Sequence, residues 1–435
     1  MIVRFSVTNF RSYKGETVLD FVSSTKIKKY PDHEKHFGRL SVVKNIGIFG
    51  SNAFGKSNIL NAIGAMVNLI INGSCDENLA FIDDSTKPTK FSIVFLNNDE
   101  KFYEYSFSVK KENLMSPFII SDEELYQVFL NGSSQLIYNS KLGLQNIDTE
   151  ALKVFASAYN NAPNQLFLRY INALERQDKQ SSTSKLLKSI YDFFVFNIYV
   201  QLDGFPIMHL INEESIDNAK EYLKKYDIGL ENVSFIGCTS EEYLRVVNDP
   251  IFPMIRNEFL KQPALKTQYF NDLKNIYCIS RNGNTYTFKK LSFKHKGIKK
   301  EFCYGYESNG TKRIFALLAL LMNEKGNSNR TIVIDEIERS AFPEIAHRLL
   351  EDFQSAYKQY NTQIVFSTHL TSLLKDALRR DEIYFVDKNG LGISSLYSLA
   401  EFKNTTKDNI LKMFNEGAFG AIPKIGVNVD HGSSN

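Results

Sequence analysis

An α/β fold is predicted for this chain: a parallel sheet covered by helices, joined by an antiparallel β subdomain and interrupted by a helical insertion. Three observations predict it. A glycine loop, GSNAFGKSN from Gly50 to Asn58, stands between an apolar strand and an amphipathic helix. Three later runs, TIVIDE, QIVFSTH and EIYFVDK, are apolar on both faces, as strands covered on each side must be. Between Lys90 and Tyr138 the pattern alternates instead, with Asn, Asp and Gly turns, which specifies an antiparallel meander.

Composition bounds the reading. The chain has 435 residues, 43% of them hydrophobic and 23% charged, enough for a large core divided among two or three substructures. Lys and Arg number 52 against 49 Asp and Glu, a net charge of +3, too small to mark a nucleic-acid binder unless the basic residues share one face. Cys75, Cys238, Cys278 and Cys303 are far apart without a CxxC pair, so neither a disulfide framework nor a zinc site is expected, and a reducing cytoplasm fits. No apolar run reaches the length of a membrane span, and Arg4 interrupts the start before a signal-peptide core forms. The 34 Phe and 22 Tyr beside absent Trp read as an aromatic core.

In order along the chain, IVRFSVTNF alternates as a half-buried strand and ETVLDF pairs back across the RSYKG turn. KKYPDHEKHFG is a surface loop, in which His33 and His36 have metal-like spacing but no further ligand and read as surface histidines. SVVKNIGIF is a strand that runs into Gly50. SNILNAIGAMVNLIIN follows at helical spacing, burying Ile59, Leu60, Ile63, Met66, Val67 and Ile70. Residues 1–147 are therefore expected to hold the phosphate loop and the meander. Residues 148–277 are expected to be a helical insertion, with QDKQSSTSK as a flexible break. Residues 278–435 return to strand with NTYTFKKLSFKH and complete the sheet, and the tail HGSSN is expected to be disordered.

GSNAFGKS matches the GxxxxGK[ST] pattern in the strand–loop–helix context that a phosphate loop needs. Backbone N–H groups from Gly50, Ser51, Asn52, Ala53, Phe54 and Gly55, with the helix N-terminus at Lys56, Ser57 and Asn58, surround an anion. Lys56 reaches the β- and γ-phosphates of ATP, and the Ser57 hydroxyl ligates Mg²⁺. TIVIDE ends a buried strand in two carboxylates: Asp335 for the metal shell and Glu336 to polarise the attacking water. QIVFSTH places His369 at the carboxyl end of a strand, where it senses the γ-phosphate. YESNGTKRIFALLALLMN sets Ser308 and Gly310 at a helix start, which serves equally as a cap and as a second anion site.

Taken together, these motifs resemble the ATPase head of the ABC superfamily in its RecF/SMC/OLD branch. NFRSY, ESNGTK, DEIE, STH, LYSLAEF and GAFGAIP are similar to the stand-alone AAA15-type ATPases, including ATPase subunits of anti-phage abortive-infection systems. The resemblance covers essentially the whole chain, loosely in the insertion. It implies that ATP lies between two subunits, so that Ser308, Gly310 and Lys312 contact the γ-phosphate held by Gly50 to Ser57 of a second copy. It also implies that Arg11 lies near the nucleotide of its own subunit and that Ser340 stands in a loop crossing the dimer. The signature reads ESNGT where the superfamily usually has LSGGQ, and the usual glutamine of the metal and water loop is left unassigned.

No segment after His369 is long enough for the Toprim nuclease of OLD proteins, and 148–277 lacks the heptads of SMC arms. The expected function is thus an ATP-hydrolysing homodimer or higher homo-oligomer that switches a separate effector, a nuclease, in anti-phage defence. Two alternatives stand beside it: a RecF-like DNA-repair clamp, for which the basic stretch Lys289 to Lys300 is the candidate DNA contact, and an ATP-gated scaffold that does not hydrolyse.

Overall fold

The sheet that carries the site has the strand order Ile198–Gln201, Thr331–Ile334, Gln363–Thr368, Asn45–Phe49, Ile383–Lys388, Ser394–Ser398. All neighbours are parallel except the last pair. The computed structural model describes residues 1–74, 79–80, 87–111, 118–159, 165–174, 181–202, 211–262, 264–272, 274–322, 329–340, 342–356, 362–402 and 407–421. The tail HGSSN lies outside them. The three central strands are buried at every position, which is why their sequences are apolar on both faces. Phe49 pairs with Thr368 and Ile334 with Phe366. The loops that follow these strands therefore leave from one edge of the sheet, the carboxyl edge where ligands of parallel sheets bind.

The meander forms a separate seven-stranded antiparallel sheet, into which Ile2–Thr8 and Thr17–Asp20 are added at one side. Lys56–Asn72 is a 17-residue helix whose buried residues include Ile59, Leu60, Ile63, Met66, Val67 and Ile70, the predicted stripe. Aromatic packing joins another helix, Ser182–Phe196, to the meander: its Phe193 stacks on Phe95 with centroids 4.2 Å apart. The aromatic core expected from composition is thus built largely on these strands.

The chain divides into two units, Met1–Leu202 with Asn327–Glu338 and Tyr357–Asn435, and Asp203–Gly326 with Arg339–Ala356. The border after Leu202 falls inside the stretch 148–277 expected as one insertion. Helices Glu150–Tyr159, Phe167–Leu174 and Ser182–Phe196 belong to the first unit, and the second contains a five-stranded antiparallel sheet as well as helices. Leu230–Gly237 and Thr267–Asn271, inside the stretch expected to be helical, are strands of that sheet. Ile198–Gln201 is also strand, although FNIYVQ continues an apolar run that is equally compatible with a buried helix. The second half of QDKQSSTSK is ordered rather than a break: Ser181 caps Ser182–Phe196 by accepting the Ser184 N–H.

Candidate functional site

Asn45–Phe49 ends at Gly50, and the helix begins at Lys56 with Gly55 as its left-handed cap. A Cβ on Gly55 would stand 2.5 Å from Ser394 Oγ and 2.8 Å from Ser12 Oγ, so only glycine fits. Those hydroxyls belong to a set of contacts that fixes the loop. Ser394 Oγ donates to the Phe54 carbonyl at 2.5 Å, Tyr13 OH to the Gly55 carbonyl at 3.1 Å, and Asn58 Nδ2 to Ser12 Oγ at 2.8 Å. Ala53 is held at φ +63°, and Phe54 packs on the main core. Asn52 precedes Ala53 on the same turn.

Lys56 is 5% exposed and its ammonium donates to the carbonyls of Gly50 at 2.8 Å and Ser51 at 3.0 Å. Its Nζ stands 3.2 Å from His369 Nε2. Burial lowers the Lys56 pKa to about 8, while Glu338, Glu336 and Asp335 pull it the other way. Burial, and then the Lys56 charge, also lower the pKa of His369, favouring a neutral imidazole beside the ammonium.

The carboxylates arrive from the next strand but one. Ser57 Oγ donates to Asp335 Oδ1 at 3.0 Å, and Ser367 Oγ donates to the same oxygen at 2.5 Å. Ser367 Oγ also accepts the Glu336 N–H at 2.7 Å. Glu336 is bent to φ +47°, a left-handed conformation that a non-glycine residue keeps only where its surroundings fix it. The bend leaves its side chain about a third exposed, with Oε1 3.9 Å from His369 Nε2. Glu338 holds the histidine strand in turn: its Oε2 accepts Thr368 Oγ1 at 2.8 Å and its Oε1 accepts the His369 N–H.

A hydroxyl and a carboxylate meeting at one point are hard oxygen donors of the kind Mg²⁺ takes alongside substrate phosphates and water. Among the described residues no group of three or more His, Cys, Asp or Glu could hold a metal ion by itself. Ser57 and Asp335 therefore fit the ion assigned to them.

In the second unit, Ser308 Oγ accepts the Thr311 N–H at 3.1 Å at the start of Asn309–Met322. Gly310 lies against Ser340: a Cβ there would stand 2.7 Å from the Ser340 carbonyl. Ser340 is exposed and left-handed, at φ +61°. The structure thus brings the signature and the expected crossing loop together. It gives Lys312 a partner in its own chain, the Gly305 carbonyl at 2.9 Å. Arg11 sits at φ +48° with its guanidinium over the Phe10 ring, and its neighbours Ser12 and Tyr13 make the loop contacts.

The basic stretch proves locally balanced. Lys289 pairs with Glu213, Lys290 with Glu242, Lys294 with Glu231 and Lys296 with Asp227, which leaves little of a single-sign stripe for a phosphate backbone. His33 is not a surface histidine: its Nδ1 lies 2.9 Å from the buried carboxylate of Glu382, which also accepts Asn45 Nδ2 at 2.8 Å. His36, by contrast, is exposed. Reasoning from sequence missed Ser12, Tyr13, Ser394 and the anchoring role of Glu338; the NFRSY tract was the available signal for the first two.

The strand order, the phosphate loop and the carboxylate strand define an α/β fold of the phosphate-loop, nucleotide-binding type. The chain belongs to the family described as "AAA domain, putative AbiEii toxin, Type IV TA system", whose model matches residues 46–375. No curated protein matches it. Solved structures similar to it include the SMC head domain with an extended coiled coil bound to the C-terminal domain of ScpA from Pyrococcus furiosus, 15% identical over 95% of this chain and 98% of that one, with a TM-score of 0.42. An SmcHead bound to the C-winged helix domain of ScpA is 16% identical over 91% and 97%, with a TM-score of 0.41. The SMC head domain from Thermotoga maritima is 14% identical over 91% and 98%, with a TM-score of 0.34. Among the described residues no helix is long and apolar enough to cross a membrane.

Proposed function

We propose that this chain binds and hydrolyses ATP and that a second copy completes each site. The observation that carries the reading is the convergence of Lys56, Ser57, Asp335, Ser367, Glu336 and His369 from three adjacent parallel strands. ATP phosphates occupy the cradle from Gly50 to Ser57, where Lys56 exchanges its bonds to the Gly50 and Ser51 carbonyls for phosphate oxygens. Mg²⁺ held by Ser57 and Asp335 supplies charge neutralisation at the phosphates. Glu336 takes a proton from a water as its oxygen bonds to the γ-phosphorus, the bond from that phosphorus to the β–γ bridging oxygen breaks, and ADP and phosphate leave. His369, uncharged and within reach of Lys56 and Glu336, donates to the γ-phosphate and registers its loss.

Ser308 and Gly310 are, in this reading, the anion site offered to the phosphates of the other copy, so that ATP closes a homodimer and hydrolysis opens it. The family's description, "putative AbiEii toxin, Type IV TA system", supports placing such a switch in an abortive-infection role; a separate effector, a nuclease, is the further part of this proposal. The pairing of Lys289, Lys290, Lys294 and Lys296 gives no support to the DNA-clamp alternative. Glu336→Gln tests the chemistry: phosphate release should fall about a hundredfold or more while ATP affinity stays near wild type, and ATP should then trap the dimer in sedimentation. Wild-type turnover in that variant removes Glu336 from the mechanism.

A further inference from the structure

The GAFGA portion of the closing tract, Gly417 to Ala421, has no role in the chemistry above, yet it is built against the phosphate loop. After the helix Lys407–Asn415 the chain makes tight turns, with Gly417 N–H donating to the Phe414 carbonyl at 2.9 Å and Gly420 N–H to the Gly417 carbonyl at 3.0 Å. Phe419 is 2% exposed and stacks on Phe385 with centroids 4.9 Å apart and planes 9° apart. Tyr397 OH donates to the Phe419 carbonyl. Gly420 has φ +65°, and a Cβ on it would lie 2.7 Å from Asp387 Oδ2 and 3.0 Å from Tyr397 OH. Ala421 is fully buried at φ +49°, a conformation a non-glycine residue holds only where its surroundings fix it. Its carbonyl accepts Ser51 Oγ at 3.0 Å.

The strands that hold this segment also hold the loop. Phe385 pairs with Phe49, the residue before Gly50. Lys388 Nζ donates to the Ala53 carbonyl at 3.2 Å, and Ser394 grips Phe54. The loop is thus fixed near its start through Ser51, at its middle through Ala53 and at its end through Phe54 and Gly55. Of these grips only the first comes from the C-terminal segment. Ser51 gives its hydroxyl to that grip, so its contribution to an anion is its backbone N–H.

We propose that Gly417–Ala421 is a latch that sets the shape of the phosphate loop through Ser51, and hence its affinity for a nucleoside triphosphate; this rests on the reading that the loop binds ATP. The latch positions the loop and touches no reacting atom. The test is titration of Mg²⁺–ATP against the full chain for wild type, Ser51→Ala, Gly420→Ala and the double variant, with thermal melting of each. Each single change should weaken ATP binding by about fivefold to tenfold, and the double variant should be no weaker than the worse single one, because both break the same link. Turnover at saturating ATP should change less than affinity. Ser51→Ala leaves the Gly420 turn intact, so it decides the matter even if Gly420→Ala melts. Wild-type affinity in Ser51→Ala, or losses that multiply in the double variant, overturns the latch while the nucleotide reading stands; a wild-type chain that binds no ATP overturns both.

Discussion

Ser57 Oγ and Asp335 Oδ1 lie 3.0 Å apart although 278 positions separate them in the chain. Gln363–Thr368 lies between their two strands, and its Ser367 bonds the same carboxylate oxygen. Asp335→Asn keeps an oxygen for both hydroxyls but removes the charge. Mg²⁺-dependent phosphate release should fall about a hundredfold, because the metal loses its one carboxylate, while ATP binding in EDTA should change little. Turnover unchanged by Asp335→Asn excludes that residue from the metal shell.

On the proposed reading, Lys56 should make ATP affinity sensitive to pH in a range where an ordinary lysine is inert. Burial lowers its pKa to about 8 against the opposing pull of Glu338, Glu336 and Asp335, with a neutral His369 on its remaining side. Below that pH the ammonium is present to meet phosphate. Above it the nucleotide-free chain has lost the proton that phosphate binding requires, so affinity should fall by up to about tenfold per pH unit. Titrations of ATP from pH 7 to 9.5 should show the break in wild type and a flat profile in Lys56→Arg. The same break in the arginine variant assigns the titration to another group.

Ser308 caps its helix and stands exposed beside Gly310 and Ser340. Ser308→Arg should leave ATP binding intact and abolish hydrolysis, since it blocks the site of the other copy. Lys56→Ala should fail on its own. Mixed in equal amounts, the two should recover about a quarter of wild-type turnover, because half of random dimers are mixed and each mixed dimer has one whole site. No recovery in chains shown to exchange subunits refutes the shared site.

The legible parts of the fold were those with unambiguous spacing. The helix after Gly55 buried the predicted stripe, and the strands ending in Ile334 and Thr368 were apolar throughout. Leu230–Gly237 was less legible because its burial has no period of two, and its pairing with Thr285–His295 carries a register shift between Leu230 and Asn232. The site followed the same rule. Lys56, Ser57 and Asp335 sit in motifs whose spacing carries the chemistry. Ser12 lies 46 positions from its partner Asn58, Ser394 340 from Phe54 and Ala421 370 from Ser51, and only tertiary structure brings them to the phosphate loop.

A buried acid outside the site offers a test of the fold itself. Glu123 is 1% exposed and receives Tyr105 OH at 2.6 Å, Tyr159 OH at 3.2 Å and the Phe167 N–H at 2.9 Å. It thereby ties Ile119–Val128 to the helices Glu150–Tyr159 and Phe167–Leu174. Despite these donors, burial raises its pKa from 4.5 to about 7. Below the unfolded value both states hold the proton and nothing is lost. As pH rises toward 7 the unfolded chain ionises while the folded chain does not, so stability falls by an amount on the order of 3 kcal/mol and then levels. Glu123→Gln cannot ionise. Its melting temperature relative to wild type should therefore rise between pH 5 and pH 8, and a difference that stays constant across that range shows that Glu123 keeps an ordinary pKa in the fold.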